Sequence, residues 1–319
     1  MKTLSPTQTN LGNQPVVSVV IATFNDGSYL PQAIESVLAQ DYPHVELIVV
    51  DDGSTDDTPR ILDRYRSSVR VFRQSNSGQS HALNAGWAAS RGDILSYLGA
   101  DDVLEPFAVT GAVDCLVRHP EAALAYCDYL LIDPASNVVR RVNAGDFDRK
   151  AMLARLICFP GPGVFFRRAA YLKAGKWSEQ LRQIPDFEYW LRLSRCGPFI
   201  RIPQVLARYR VHEGSQSFAL VDAVRAEEPA RVMREFFASA PTTTEEHLWR
   251  SEGIANGHVL SARMHIRSGR LRPGLHHLVA AVQTCPSILL SFRTYHLLIN
   301  ALFNRGAHRL LWALNKVRR

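Results

Sequence analysis

A chain of 319 residues that is 46% apolar can bury one large core, or one core with an appendage. No run reaches the roughly 18 uninterrupted apolar residues of a spanning helix; Pro286 to Phe303 comes nearest and is broken by Arg293 and His296. The net charge of +7 belongs to the C-terminal end: no acidic residue follows Glu252 but ten arginines and lysines do, leaving residues 1–252 at −3.

Residues 1–14 are polar, with no apolar run behind the early lysine, so they read as a disordered tail without a signal peptide. Val16 to Thr23 is a β-branched run of the kind buried on both faces of a parallel sheet. A helix follows, with Pro31 in its first turn and Leu30, Ala33, Ile34, Val37 and Leu38 at helical spacing. Val45 to Val50 is a second buried strand and runs into Asp51-Asp52-Gly53-Ser54. A helix then starts near Thr58-Pro59 with Thr58 as its cap, and Val69 to Phe72 is a third strand. Gln79 to Ala89 is a helix, and Ile94 to Leu98 is a fourth strand ending at Gly99-Ala100-Asp101-Asp102. This alternation predicts an α/β fold with a doubly wound, mostly parallel sheet.

Beyond Ala122 the pattern changes. Leu124 to Ile132 and Val138 to Val142 read as strands around a turn-rich Asp133 to Asn137, and Gly163 to Phe166 as another. Asp186 to Arg195 is a helix with Trp190 on its buried side, and Val205 to Val211 is the last strand. From about Ala223 helical periodicity takes over, which predicts an α-helical appendage and a boundary near 220. Cys115, Cys127, Cys158, Cys196 and Cys285 form no C-x-x-C pair, a pattern of reduced cytoplasmic thiols, not of a disulfide framework or a zinc site.

Both aspartate clusters fall just past predicted parallel strands, where open α/β sheets bind ligands. Asp101-Asp102 offers hard oxygens to a divalent cation, or else caps the helix near Glu105-Pro106. Asp51-Asp52-Gly53-Ser54 either accepts hydrogen bonds from a ribose or base, or is an ordinary strand-to-helix turn. With Ala22-Thr23-Phe24-Asn25 at a third strand end, the clusters form one convergent polar pocket.

Taken in order, Val17 to Asn25, Ile48 to Asp56, Asn76 to Gly86, and Gly92-Asp93-Ile94 ahead of Ala100-Asp101-Asp102 resemble family-2 glycosyltransferases of the GT-A fold, across residues 15–215. The resemblance implies an inverting transferase that moves a sugar from a nucleoside-diphosphate donor, with UDP favoured by family habit, using Mn²⁺ or Mg²⁺. The acceptor would be a hydroxyl of a saccharide or lipid-linked sugar, in cell-surface polysaccharide synthesis. It divides residues 15–220 into a nucleotide-binding half, 15–105, and an acceptor half, 106–220, with 221–319 as the basic helical region. It assigns Asp52 to the nucleobase, with Ala22, Thr23, Asn25 and Ser54 bordering the donor. Asp101 falls on the ribose–phosphate side, and Asp102 with His212 on the metal. Gly99 departs from the pattern, since many members carry a carboxylate or Asn there.

The same resemblance makes Asp186 the general base, with Glu188 second. A positioned carboxylate that takes the acceptor's proton makes that hydroxyl a nucleophile. The alternative is that Asp186 merely answers the helix dipole. Arg208 and Arg210 are candidates to clamp the diphosphate, one of them pointing elsewhere because strand neighbours face opposite sides. Gly161-Pro162-Gly163 and Trp177 are expected to shape the acceptor pocket. Leu297, Leu298, Ala301, Leu302, Leu310, Leu311, Leu314 and Val317 form an apolar stripe beside Arg305, Arg309, Lys316 and Arg318. That pattern suits an anionic membrane surface, and a cytoplasmic protein held at the membrane's inner face; a helical appendage or dimerisation surface is the alternative. A nucleotidyltransferase would want a Gly-rich cationic phosphate loop after the first strand, which Phe24 to Ser28 lacks. A non-catalytic binding module would have lost Asp186 or Asp102. Nucleic-acid binding is not expected, because the basic region carries no stacking array.

Overall fold

The computed structural model describes residues 14–212, 220–239 and 243–301. They form two compact units, one built from residues 14–147, 158–180 and 185–212, the other from residues 148–157, 181–184, 220–239 and 243–301. The units thus cross the chain-order division at 220: residues 148–157 and 181–184 join the C-terminal helices.

The first unit is organised by one sheet in the order β3-β2-β1-β4-β8-β6-β9-β5, with β7 paired to β6. β1 (Val17–Thr23) lies between β2 (Val45–Asp51) and β4 (Ile94–Gly99), parallel to both, and β2 pairs in parallel with β3 (Arg70–Arg73). Val17, Val19, Val20 and Ile21 are buried, each such side chain contributing about 1.5–3 kcal/mol. α1 (Leu30–Leu38) covers the sheet with Leu30, Ala33, Ile34 and Val37. α2 (Thr58–Asp63) begins at Thr58 itself instead of being capped by it; the Thr58 amide donates to Asp56 Oδ1. α3 (Gln79–Ala89) crosses back to β4, packing so closely that a Cβ on Gly86 would lie 2.4 Å from Val20. The doubly wound parallel half therefore has the architecture that its strand pattern predicts.

After β4 the two-residue β5 (Val103–Leu104) pairs antiparallel with β9 (Phe199–Arg210). α4 (Ala108–Arg118) starts only after Phe107 and has no side-chain cap, so Asp101 and Asp102 do not cap it. β6 (Leu124–Ile132) and β7 (Val138–Val142) match the predicted bounds, and β8 (Val164–Arg167) joins β4 to β6. β9 is longer than predicted. Its register on β6 slips between Ile202 and Val205, at a proline that cannot donate to a ladder. α6 (Arg168–Ala174) and α7 (Pro185–Leu193) complete the unit around an aromatic core of Trp87, Trp177, Tyr189 and Trp190. Trp177 is 2% exposed, so it belongs to this core and not to the wall of an acceptor pocket.

The second unit packs α5 (Arg149–Arg155), α8 (Ala223–Ala238), α9 (Thr244–Arg267) and α10 (Leu271–Thr284), followed by a 3₁₀ turn at Pro286–Leu290. Asn256 of α9 donates to the Ala154 carbonyl of α5 at 2.9 Å, and the buried Glu246 pairs with Arg149. Glu228 accepts from the backbone amides of Arg182, Gln183 and Ile184, which ties residues 181–184 to α8.

Glu227, His265 and His277 bring three ligand-type atoms together in this unit. Their hydrogen bonds describe a proton-ordered network instead of a metal cage. Arg270 Nε can only donate, so His265 Nδ1 accepts at 2.9 Å and its Nε2–H donates to Glu227. A metal-bound Nε2 would require the opposite tautomer. Among the described residues no helix is long and apolar enough to cross a membrane. Leu297 and Ala301 pack inward, and the remainder of the predicted stripe, from Leu302 on, lies outside the described residues.

Candidate functional site

The C-terminal ends of β1, β2 and β4 converge because all three run parallel in adjacent register, Thr23 opposite Asp51 and Ala22 opposite Gly99. The loops leaving them are stitched together by short polar side chains. Asn25, in the left-handed region at φ 59°, takes its amide to Ser54 Oγ, and its Oδ1 accepts from the Thr55 and Asp56 amides. Ser54 in turn donates its amide to Asp51 Oδ1 at 2.8 Å. Gly53 sits at φ 82° with its backbone against Asn76, a place no side chain can occupy.

Asp52 is buried and its carboxylate is engaged by protein. Oδ1 accepts from Gln74 Nε2 and the Ser77 amide, and Oδ2 from the Gly78 amide at 2.6 Å, ahead of α3. Its local role is to hold the 74–78 loop, the turn reading of this motif. Thr23 Oγ1 and Asp51 Oδ2 are buried without a hydrogen bond, although Arg73 Nε lies 3.3 Å from the latter. Phe24, between them and Asn25, stays 44% exposed at the end of a strand otherwise buried.

At the end of β4, Gly99 lets both following carboxylates fold back over the strand. A Cβ there would lie 2.7 Å from Asp102 Oδ2 and 2.8 Å from Asp101 Oδ1. The two oxygens therefore converge on one point. Asp102 Oδ1 accepts from the Arg210 amide at 2.9 Å, and Asp101 Oδ2 faces His212 Nε2 at 2.9 Å. Burial, with the adjacent Asp101 charge second, pushes the Asp102 carboxyl well above the usual range. Burial also raises Asp26, to which the Asp101 charge contributes. Convergent hard oxygens, electrostatically short of positive charge, with an imidazole beside them, fit a divalent cation.

Arg210 corrects an expectation. Its side chain is buried and donates to the carbonyls of Asp101, Asp133 and Pro134 and to Gln32 Oε1, with its guanidinium over the Tyr29 ring at 4.7 Å. Arg208 pairs with Glu105 at 2.6 Å. Both guanidiniums are committed to protein partners, so neither clamps a diphosphate as they stand. Arg210 instead pins the Asp133–Asn137 turn over the β4 end.

Asp186 opens α7, and burial raises its carboxyl above the ordinary value. Tyr97, one strand position inward from Leu98, lies near both carboxyls: burial first, then the charges of Asp186 and, more weakly, Asp102 raise its phenol. Cys158 also lies within reach of the Asp186 charge. Glu188 is different. Both its oxygens are taken by Arg192, Nε at 2.6 Å and Nη2 at 2.8 Å, and the same guanidinium holds the Lys176 carbonyl. The sequence gives no reason to single out Phe24, Asp26 or Tyr97: the first two lie within Val17 to Asn25 and Phe24 to Ser28 without a role of their own, and the exposure of Phe24 is visible only in three dimensions.

Residues 18–174 match the family described as Glycosyl transferase family 2. An uncharacterized glycosyltransferase of Nostoc sp. is 38% identical over 233 residues, covering 66% of this chain and 70% of the relative. Another from Rickettsia typhi is 30% identical, covering 62% of this chain and 65% of the relative. The chondroitin synthase of Escherichia coli is 31% identical over 69% of this chain, which spans only 32% of that longer protein. Among solved structures, S. aureus TarS in complex with UDP-GlcNAc superposes with a TM-score of 0.67 at 16% identity, covering 92% of both chains. The mannosyltransferase PcManGT from Pyrobaculum calidifontis, in complex with GDP-Man and Mn²⁺, gives 0.62 at 17% identity, covering 96% of this chain and 89% of its own. At these identities the structural likeness bears on the fold, which is that of GT-A glycosyltransferases.

Proposed function

The chain belongs to glycosyl transferase family 2, and from that premise we propose that it is a glycosyltransferase that moves a sugar, with inversion, from a nucleoside-diphosphate sugar to a hydroxyl of a saccharide or lipid-linked acceptor. One observation carries the reading. The Asp101 and Asp102 oxygens converge over Gly99 at the end of β4, while Asp186, in the first turn of α7, and Asp102 both lie near enough to Tyr97 for their charges to act on its phenol. Metal-side carboxylates and a separate raised carboxyl are the two parts that an in-line displacement requires.

In this reading the exposed Phe24 ring stacks on the base, and the loops joined by Asn25, Ser54 and Asp52 border the nucleoside. Asp52 acts through the 74–78 loop that it fixes, because its own oxygens are spent. Asp102, with Asp101 and His212 beside it, would hold Mn²⁺ or Mg²⁺, whose chemistry is to neutralise charge growing on a diphosphate leaving group. Asp186 takes the acceptor hydroxyl's proton as its oxygen attacks the anomeric carbon from the face opposite the diphosphate. Glu188 is excluded from that role by its bidentate pairing with Arg192. The acceptor in this reading is a growing polysaccharide or a lipid-linked sugar, handled at a membrane's cytoplasmic face by a peripheral protein.

The test is a thermal-shift screen of nucleotide sugars with Mn²⁺ on wild type and Asp102→Ala. A ligand bound only to the folded state stabilises by mass action, about 2.7 kcal/mol at a hundred times its Kd. A UDP-sugar should shift wild type and not the variant. If no nucleotide sugar shifts wild type, the donor assignment falls; retention of anomeric configuration in the product would overturn inversion.

A further inference from the structure

Asp186 follows closely on a segment of chain that is held in the helical unit. Residues 181–184 belong to that unit and Pro185 opens α7, so a single residue separates the held segment from Asp186. Glu228 of α8 supplies the hold. Its Oε1 accepts from the Arg182 amide at 2.8 Å, and its Oε2 from the Gln183 and Ile184 amides at 2.7 and 3.1 Å. Three successive N–H groups turned onto one carboxylate fix both the position and the direction of the backbone that carries them. Glu228 is 2% exposed, so water cannot replace these bonds, and a drift of the segment would leave a buried carboxylate unanswered.

Glu228 itself sits on a fixed turn of α8. Pro229 beside it has no N–H, and its carbonyl approaches Gly257 of α9 so closely that a Cβ there would lie 2.9 Å away. The Ala230 amide donates to Ser261 Oγ at 3.1 Å. At the other end of the segment the Pro185 ring holds φ at about −65°, so the direction set at residues 182–184 passes into the first turn of α7 with little slack. There the Asp186 carboxyl accepts from the backbone amides of Asp186 and Phe187, which makes the orientation of that turn the orientation of the carboxyl. A second stretch of the helical unit ends in the same place. α5 is pinned to α9 by Asn256, which donates to the Ala154 carbonyl at 2.9 Å, and by Gly253, where a Cβ would lie 2.5 Å from the Leu153 carbonyl. Cys158, three residues past α5, is within reach of the Asp186 charge.

We infer that Glu228 is a positioning residue for sugar transfer: by holding residues 182–184 it sets where the Asp186 carboxyl meets the acceptor hydroxyl. The inference rests on the assignment of Asp186 as the base, and it names the group that orients that base. A general base works only within hydrogen-bond reach of the proton it takes, and a misplacement of about 1 Å can cost on the order of a hundredfold in rate.

The test joins hydrogen–deuterium exchange to kinetics on the full chain. Glu228→Gln leaves one oxygen and an NH₂ group facing the three amides; Glu228→Asp keeps the carboxylate but draws it back by one methylene. In Glu228→Gln the amides of residues 182–184 should exchange at least tenfold faster, with faster exchange also at Asp186 and Phe187. Thr243→Ala removes the side-chain cap of α9 and should lower Tm while leaving these amides unchanged. Release of UDP from UDP-GlcNAc with Mn²⁺, water replacing the acceptor, should fall at least tenfold in kcat with KM unchanged in Glu228→Gln. The fall should be smaller in Glu228→Asp and absent in Thr243→Ala. Glu228→Gln/Asp186→Asn should be no slower than Asp186→Asn, because Glu228 acts through Asp186. Additive losses, or a loss carried by KM, overturn the inference. Exchange needs no substrate, so faster exchange that stops at residue 184 overturns it whichever sugar is transferred. Turnover lost in Asp186→Asn but kept in both Glu228 variants removes this inference alone, whereas unchanged turnover in Asp186→Asn removes the base assignment and the inference with it. If Glu228→Gln does not fold, Glu228→Asp decides by the same readings.

Discussion

Gly99→Ala tests whether the two carboxylates depend on an empty position beneath them. The added Cβ would stand 2.7 Å from Asp102 Oδ2 and 2.8 Å from Asp101 Oδ1, whereas ordinary contact begins at 3.4 Å. Both oxygens must retreat, by roughly 0.6–0.7 Å, beyond the ~0.5 Å within which functional groups must be held. Neither can move freely, because Asp102 is held by the Arg210 amide and Asp101 faces His212, each at 2.9 Å. Loosening a charge-assisted bond of this kind costs about 1.5–3 kcal/mol at most, so Tm should fall by a few degrees while the fold survives. Binding of UDP with Mn²⁺, measured calorimetrically, should weaken at least tenfold, equivalent to about 1.4 kcal/mol. Gly99→Asp should weaken it further, although it restores the residue type many family members carry there. Wild-type affinity in Gly99→Ala, or tighter Mn²⁺ binding in Gly99→Asp, would refute the crowding argument.

Phe24→Ala should weaken nucleotide binding by about 1–3 kcal/mol, the value of one base stacked on an aromatic ring, and leave Tm unchanged because the ring is already half in solvent. Asp186→Asn should keep donor binding and lose roughly 10²–10⁴ in transfer rate, as expected for removal of a general base. Its raised carboxyl sets the acid limb of the wild-type profile above the ordinary aspartate range, since only the ionised form accepts the proton. By linkage, a raised acid favours folding while protonated and loses that contribution as pH rises through its folded value, so Asp186→Asn should be the more stable protein at neutral pH; lower stability there would mean that the backbone amides of Asp186 and Phe187 outweigh desolvation at this carboxyl. Glu227 has the opposite sign. Burial raises it, but hydrogen bonds from His277 and His265 outweigh that and hold it low, so its contribution exists above the unfolded value and disappears as pH falls through the folded one. Acid titration followed by circular dichroism should show this loss in wild type and not in Glu227→Gln.

The buried parallel strands were legible because both their faces are apolar, and β1, β2 and β4 need no distant information to be read. α3, β6 and β7 fall within the bounds their own periodicity predicts. What escapes is what depends on residues far away in the chain. β5 is two residues long and exists only because β9 lies beside it. α5 belongs to the helical unit through Asn256, 102 residues downstream of Ala154. Arg210 shows the same limit at the site. An arginine at a strand end resembles an anion clamp until the Asp133 carbonyl, 77 residues upstream, proves to be its partner.

The paired aspartates make the point most sharply, because Asp51-Asp52 and Asp101-Asp102 are equivalent as sequence and diverge as chemistry. After β2 the chain turns through Gly53 at positive φ, and Asp52 swings toward the loop preceding α3, where three donors consume its charge. After β4 the glycine comes before the pair instead of after it. Both carboxylates then fold back toward the strand, with one backbone amide and one imidazole to answer them, and Asp102 is left far from its ordinary protonation. A carboxylate whose hydrogen bonds are complete stabilises a loop; a pair left short of positive charge is the one we propose as the cation site. In that reading the placement of one glycine relative to two aspartates separates the turn role of one cluster from the ligand role of the other, and Gly99, a departure from the family pattern, is what lets the two oxygens converge.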